Sequence, residues 1–277
     1  MREMKKYVIS LAILATLLTS CASEFNRVYK TTDNDYKYEF AKECFARGKF
    51  TQAITLLQEL VTIQKGTDNA QECLYMLAMA EYCDRDYESA SETFKKYYQT
   101  YPKGIYAEQA AFYIGQSLYQ STPEPRLDQT ATVNAISAYQ DFLDFFPESQ
   151  LKAKASSRMF ELTDKLVLKE YLSAKLYYNL GDYFGNCTNG GSNFEACIVT
   201  SENALKTYPF TTMREDFAVL IMKSKYELAR QSVEEKKIER YRDAEDECYG
   251  FINEYPESVE RRTAERYIKK CKEITKD

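Results

Sequence analysis

The stretch Tyr87-Glu88-Ser89-Ala90-Ser91-Glu92-Thr93-Phe94-Lys95-Lys96-Tyr97-Tyr98-Gln99-Thr100-Tyr101-Pro102 decides the fold. It closes on an aromatic-proline pair, and proline ends a helix because it lacks the amide donor and restricts the residue before it. The same closure recurs at Phe146-Pro147, Tyr208-Pro209 and Tyr255-Pro256. Twelve residues before the four prolines stand Ala90, Ala135, Cys197 and Ala244, all small. Five before them stand Tyr97, Phe142, Ala204 and Phe251; fifteen before them, Tyr87, Thr132, Phe194 and Tyr241. An arbitrary alanine-rich helix bundle would scatter such spacings, whereas four prolines in register point to one repeated helix with a close-approach site.

Working outward, Ala41 lies twelve before Ala53 and Ala78 twelve before Ala90, so the preceding helices carry small residues that match. Gly48-Lys49-Phe50 and Asp86-Tyr87 read as the turns between partners. The register resembles that of tetratricopeptide repeats, in which a small residue lets two helices approach and a bulky one three positions earlier locks the turn. The expected fold is all-α: an α-solenoid of about five tetratricopeptide-like helix pairs. The pairs begin near residues 35, 70, 105, 153 and 212, end near 65, 102, 147, 209 and 256, and are followed by a capping helix to about 274. Two insertions interrupt it, at Pro123-Glu124-Pro125-Arg126 and over residues 185–192.

Residues 1–20 have the form of a secretion signal, with Arg2, Lys5 and Lys6 ahead of an apolar run from Tyr7 to Leu18. Leu18-Thr19-Ser20-Cys21 resembles the lipobox of bacterial lipoproteins, which implies cleavage before Cys21 and a covalent N-acyl diacylglycerol on that cysteine. The alternative is an ordinary secretory signal with a coincidental cysteine. Several acyl chains anchor a protein stably, since each buried methylene contributes about 0.8 kcal/mol. Residues 21–34 then read as the lipidated N-terminus and tether, and 35–277 as the repeat domain.

Removing three basic groups and one acid with the signal takes the formal charge from −5 to −7. An acidic body argues against nucleic acid as a partner, because phosphate binding needs clustered Lys and Arg. Histidine is absent, which removes the usual general base and the commonest metal ligand. No phosphate-cradling loop, metal-ligand cluster or nucleophile elbow occurs, so no enzyme activity, catalytic residue, metal or other cofactor is expected. Of eight cysteines, Cys187 and Cys197 flank a Gly-Gly loop and are placed to bridge; Cys44, Cys73, Cys83, Cys248 and Cys271 read as small apolar helix residues.

Aligning the first three pairs on Ala41, Ala78 and Gly115 sets Tyr38, Tyr75 and Phe112 in one row and Phe45, Tyr82 and Tyr119 in a second. Seven residues is nearly two helical turns, so each helix carries both rings on one side. The rows either line a peptide groove or pack between helices. Tyrosine suits the first, since its ring gives apolar area while its hydroxyl tolerates water.

Several strings carry a more specific resemblance: Lys37-Tyr38, Lys65-Gly66-Thr67, Leu127-Asp128-Gln129-Thr130, Asp164-Lys165-Leu166, Lys169-Glu170-Tyr171, Ala174 to Tyr178, and Phe251 to Ser258. They resemble the BamD family of outer-membrane assembly lipoproteins. That resemblance implies a lipid-anchored scaffold at the outer membrane, facing the periplasm. Its implied partners are unfolded outer-membrane proteins and a BamA-like barrel subunit with POTRA domains. It further implies client recognition by the first repeats and POTRA docking by the later ones, with Arg214 at the POTRA contact. The insertion at 185–192 departs from the family pattern. A periplasmic repeat lipoprotein scaffolding peptidoglycan synthesis or cell division would share the fold.

Overall fold

Asp33 and Asp86 each turn a side-chain oxygen back onto the first turn of a helix, accepting from the Tyr36 and Ser89 amides at 3.0 and 3.2 Å. Such caps satisfy donors that have no partner inside the helix. The computed structural model describes residues 24–181, 183 and 192–276, and no strand occurs among them. After a helical segment over residues 24–29 come α1 (Asn34–Ala46), α2 (Phe50–Ile63), α3 (Ala70–Cys83), α4 (Tyr87–Thr100), α5 (Ala107–Ser121) and α6 (Thr130–Phe145). They are followed by α7 (Lys152–Asn179), α8 (Asn193–Thr207), α9 (Arg214–Arg230), α10 (Glu234–Glu254) and α11 (Arg261–Thr275). These are the five pairs and the final helix that the register predicts.

The described residues form two compact units, one lying within residues 1–122 and 130–159, the other within 123–129 and 160–277. In the first, each helix from α1 to α6 packs on the next; in the second, α8 to α11 do the same. Ala90, Ala135, Cys197 and Ala244 are each 0% exposed, as are Ala41, Ala53 and Ala78. The small residues therefore sit at helix crossings, where a larger side chain would hold the backbones apart.

The four aromatic-proline closures share one geometry. The amides of Tyr101, Phe146, Tyr208 and Tyr255 donate to the carbonyls of Tyr97, Phe142, Ala204 and Phe251 at 2.8–2.9 Å. Two residues past each proline, Gly104, Ser149, Thr211 and Ser258 donate back to the aromatic carbonyl at 2.9–3.1 Å. Three closures add a ring contact: Tyr97–Tyr101 at 5.5 Å, Phe142–Phe146 at 5.7 Å and Phe251–Tyr255 at 5.4 Å. The residue five before proline thus accepts the closing hydrogen bond and, where aromatic, packs on the closing ring.

The tether reading needs correction. Of residues 21–34, those over 24–29 are helical, Val28 is fully buried and Phe25 packs against the first core cluster. The apolar Phe25 and Val28, three apart, lie on one helical face, which a polar spacer would not provide. Residues 1–23, including Cys21 and the signal, lie outside the described residues. Among those described, no helix is long and apolar enough to cross a membrane.

Cysteine packs as a hydrophobe. Cys44, Cys73, Cys197, Cys248 and Cys271 are buried free thiols and Cys83 is half-buried. Burial pushes Cys73 and Cys248 up to about 12 and Cys271 to about 11, so they remain neutral. Cys187 lies outside the described residues.

Two buried charges are treated differently. Lys37, 2% exposed, donates to both Glu59 carboxylate oxygens at 2.9 Å. Glu81, 4% exposed, leaves one carboxylate oxygen without a partner. Burial raises its pKa above the ordinary glutamate value; Asp86 adds to the rise, while a hydrogen bond from Thr93 and the charge of Lys96 oppose it. A raised folded-state pKa means the native protein holds this proton more tightly than the unfolded chain. Stability relative to Glu81→Gln is therefore expected to increase as pH falls from neutral through the folded pKa, and to level off below the unfolded one. Urea denaturation of both proteins across that range checks the sign.

Candidate peptide-binding surfaces

The six aromatic positions fall into distinct environments. Tyr38 and Phe112 are each 2% exposed and belong to the core, so neither is available to a ligand in this conformation. Burial raises the Tyr38 phenol above its usual pKa, with Glu72 adding, and Lys42 lies over its ring at 5.1 Å. Phe112 packs on Tyr139 at 5.9 Å and Phe142 at 5.5 Å. The other four are partly exposed.

Phe45 meets Phe50 edge-on at 5.7 Å across the α1–α2 turn. Tyr75 stacks on Tyr106 at 4.3 Å and donates its hydroxyl to Gln109 at 2.9 Å. Tyr82 packs edge-on against Tyr87 at 5.5 Å and Tyr113 at 5.1 Å. Tyr119 lies under the Arg158 guanidinium at 4.4 Å and accepts a hydrogen bond from it at 2.8 Å. Tyr75, Tyr82 and Phe112 thus belong to an inter-helix aromatic ladder with partly open edges, joined through Phe94, Tyr97, Tyr106 and Tyr113. Alignment of α1, α3 and α5 on their small residues does not reach Phe94 and Tyr97, which lie on α4, or Tyr106, which precedes α5; Tyr113 stands immediately beside the aligned Phe112.

The first unit also carries an open groove of about 540 Å³. Tyr98 from α4, Ile114 and Leu118 from α5, and Phe142 and Phe145 from α6 supply its apolar surface. Glu92, Lys95 and Asp141 stand among them. Phe145 is 64% exposed and lies 6.2 Å from the Tyr98 ring. An apolar floor with interspersed polar groups suits an extended peptide, whose side chains alternate in direction. Periodicity did not reveal it, because its lining comes from three helices.

In the second unit, Arg214 donates to the Pro209 carbonyl at 3.0 Å and to Glu254 at 3.5 Å. Arg261 makes the equivalent bond to the Pro256 carbonyl at 3.1 Å. Both arginines stand five residues after a closing proline and stabilise the turn behind it. Phe210, in the first of these turns, is 96% exposed.

The family model for YfiO, an outer membrane lipoprotein, matches residues 30–189, which take in α1 through α7. The chain belongs to this family. It is 22% identical over 177 residues to the outer membrane protein assembly factor BamD of Caulobacter vibrioides, across 62% of this chain and 58% of that protein. A relative from Aquifex aeolicus bearing the same assembly-factor name is 26% identical over 136 residues, across 49% of this chain and 43% of its own. The matches thus span about half the length of these relatives. Among solved structures, the TPR2AB domain of yeast Sti1 in complex with pHSP90 is similar over 86% of this chain and 98% of that one, with 14% identity and a TM-score of 0.39.

Proposed function

We propose that this chain is a lipid-anchored scaffold of the outer-membrane β-barrel assembly machinery, facing the periplasm. Acyl chains on Cys21 hold it to the outer membrane. Its helix pairs bind segments of unfolded outer-membrane proteins and dock a BamA-like subunit through a POTRA domain. The observation that carries this reading is the family match over residues 30–189, which contains the insertion and α7 strings that a generic repeat does not need.

The chemistry of the first unit supports a client role. A segment entering the Tyr98, Ile114 and Phe145 groove would exchange water for ring and aliphatic contacts at about 25 cal/mol per Å² of apolar area. Depleting the protein from its native host is expected to lower the amount of β-barrel proteins in the outer membrane while inner-membrane proteins persist. Unchanged barrel levels after depletion would overturn the assignment.

Arg214 is proposed as a contact for the barrel subunit, with Arg261 as its matched control. Both lie near the surface and make one turn-stabilising bond to a proline carbonyl, so either alanine variant should lose only about 0.2–1 kcal/mol of stability. Arg214→Ala alone is expected to reduce recovery of the barrel subunit with the tagged protein. Equal recovery with both variants would leave Arg214 with its turn-stabilising role only.

A further inference from the structure

The insertion over residues 123–129 is a built loop. The Leu127 amide donates to the Glu124 carbonyl at 3.0 Å. The Gln129 side chain, 5% exposed, donates to the carbonyls of Glu124 at 2.7 Å and Leu127 at 3.2 Å. The Lys169 ammonium then ties the loop to α7 by donating to the Leu127 carbonyl at 3.0 Å. The Leu127-Asp128-Gln129 and Lys169-Glu170-Tyr171 strings, distant in sequence, thus meet in one place within the second unit.

Between loop and helix lies an open pocket of about 370 Å³, lined by Arg126, Lys169 and Lys175 together with Leu172, Leu176 and Asn179. Among the described residues no carboxylate lines it, in a chain with 42 acidic residues against 37 basic ones. Among the described residues, Arg126 and Lys175 have no ion-pair partner; Lys175 lies only over the Tyr171 ring, at 5.6 Å. Leu176 is 57% exposed, and Leu172 stands one turn before it on the same face.

We propose that this pocket docks an acidic peptide segment of a partner protein, one in which carboxylates flank an apolar side chain. Charge complementarity selects the carboxylates, and the leucine pair takes the apolar residue. A compact phosphate is the poorer fit: it is best held by several donors aimed at one point. Here Lys169 is already committed to Leu127, leaving two cations without an ion-pair partner among the described residues, on separate elements beside apolar surface. The site is separate from the groove of the first unit and does not depend on the assembly reading.

The test is fluorescence anisotropy on the full mature chain with a labelled peptide whose core is Asp-Leu-Glu-Leu-Asp. Binding is expected to weaken as salt is raised. It is also expected to weaken roughly tenfold or more in Arg126→Glu with Lys175→Glu, and measurably in Arg126→Gln with Lys175→Gln. Both residues are exposed, so the variants should keep the wild-type circular dichroism melt. A Lys-substituted peptide that binds as well, variants that bind the acidic peptide unchanged, or absence of binding would overturn the proposal. So would capture of phosphatidylglycerol vesicles, without the peptide, that is lost in Arg126→Glu with Lys175→Glu, since capture through the acyl anchor would survive that change; it would assign the pocket to lipid.

Discussion

Replacing Phe94 with alanine is expected to lower the stability of the first unit by about 3–5 kcal/mol, the cost of removing a large buried ring that its surroundings cannot fill. The side chain is 0% exposed. It stacks on Tyr113 at 5.3 Å and meets Tyr75 edge-on at 5.8 Å, so its loss also removes two ring contacts from the ladder. Each such contact contributes about 0.5–1.5 kcal/mol beyond area burial. Urea denaturation followed by far-ultraviolet circular dichroism measures the change. A loss below about 1 kcal/mol, the scale of an ordinary surface substitution or less, would show that the ladder is not a core.

Gly115→Leu is the second large effect, expected to cost about 1–3 kcal/mol by overpacking. A Cβ at this position would lie 2.9 Å from the Tyr139 ring. That ring is fully buried and its hydroxyl donates to the buried Gln116 at 3.0 Å, so it cannot swing aside without breaking a hydrogen bond. Ordinarily, replacing a helical glycine by alanine gains about 1 kcal/mol from propensity. At Gly115 the ring contact opposes that gain, so even Gly115→Ala is expected to show little or none of it. The same denaturation experiment reads both variants, and a Gly115→Leu protein as stable as wild type would refute a close helix crossing there.

These two positions show what the chain discloses before it folds. Gly115 was visible because it aligns with Ala41 and Ala78 in the first three pairs, while the register ahead of the prolines located the second helices of pairs two to five. Backbone closures obey local rules: proline removes a donor, the preceding aromatic packs back, and the small residue marks the crossing. Phe94 was silent, since an aromatic at helical spacing packs in a core as readily as it lines a groove. The same ambiguity covered Tyr38 and Phe112, which proved buried, and Tyr75 and Tyr82, which have partners yet stay partly open. Surfaces assembled from several helices were least legible. The groove at Tyr98 and Phe145, and the cationic pocket beneath the 123–129 loop, depend on which faces meet. Residues 24–29 were misread as spacer because a single buried turn is too short to establish a period.

Arg214 illustrates how a resemblance and a geometry divide the work. The family pattern singled out the residue, whereas the structure supplies its bond to Pro209 and the matching bond of Arg261. Only a comparison of the two variants separates a turn-stabilising role from a partner contact.

The most direct measurement is affinity purification of the tagged, full-length protein from detergent-solubilised envelope, with quantitative mass spectrometry of what accompanies it. Recovery of a POTRA-bearing barrel subunit in stoichiometric amount is the predicted result. Recovery of cell-wall synthesis or division proteins without that subunit would contradict the account.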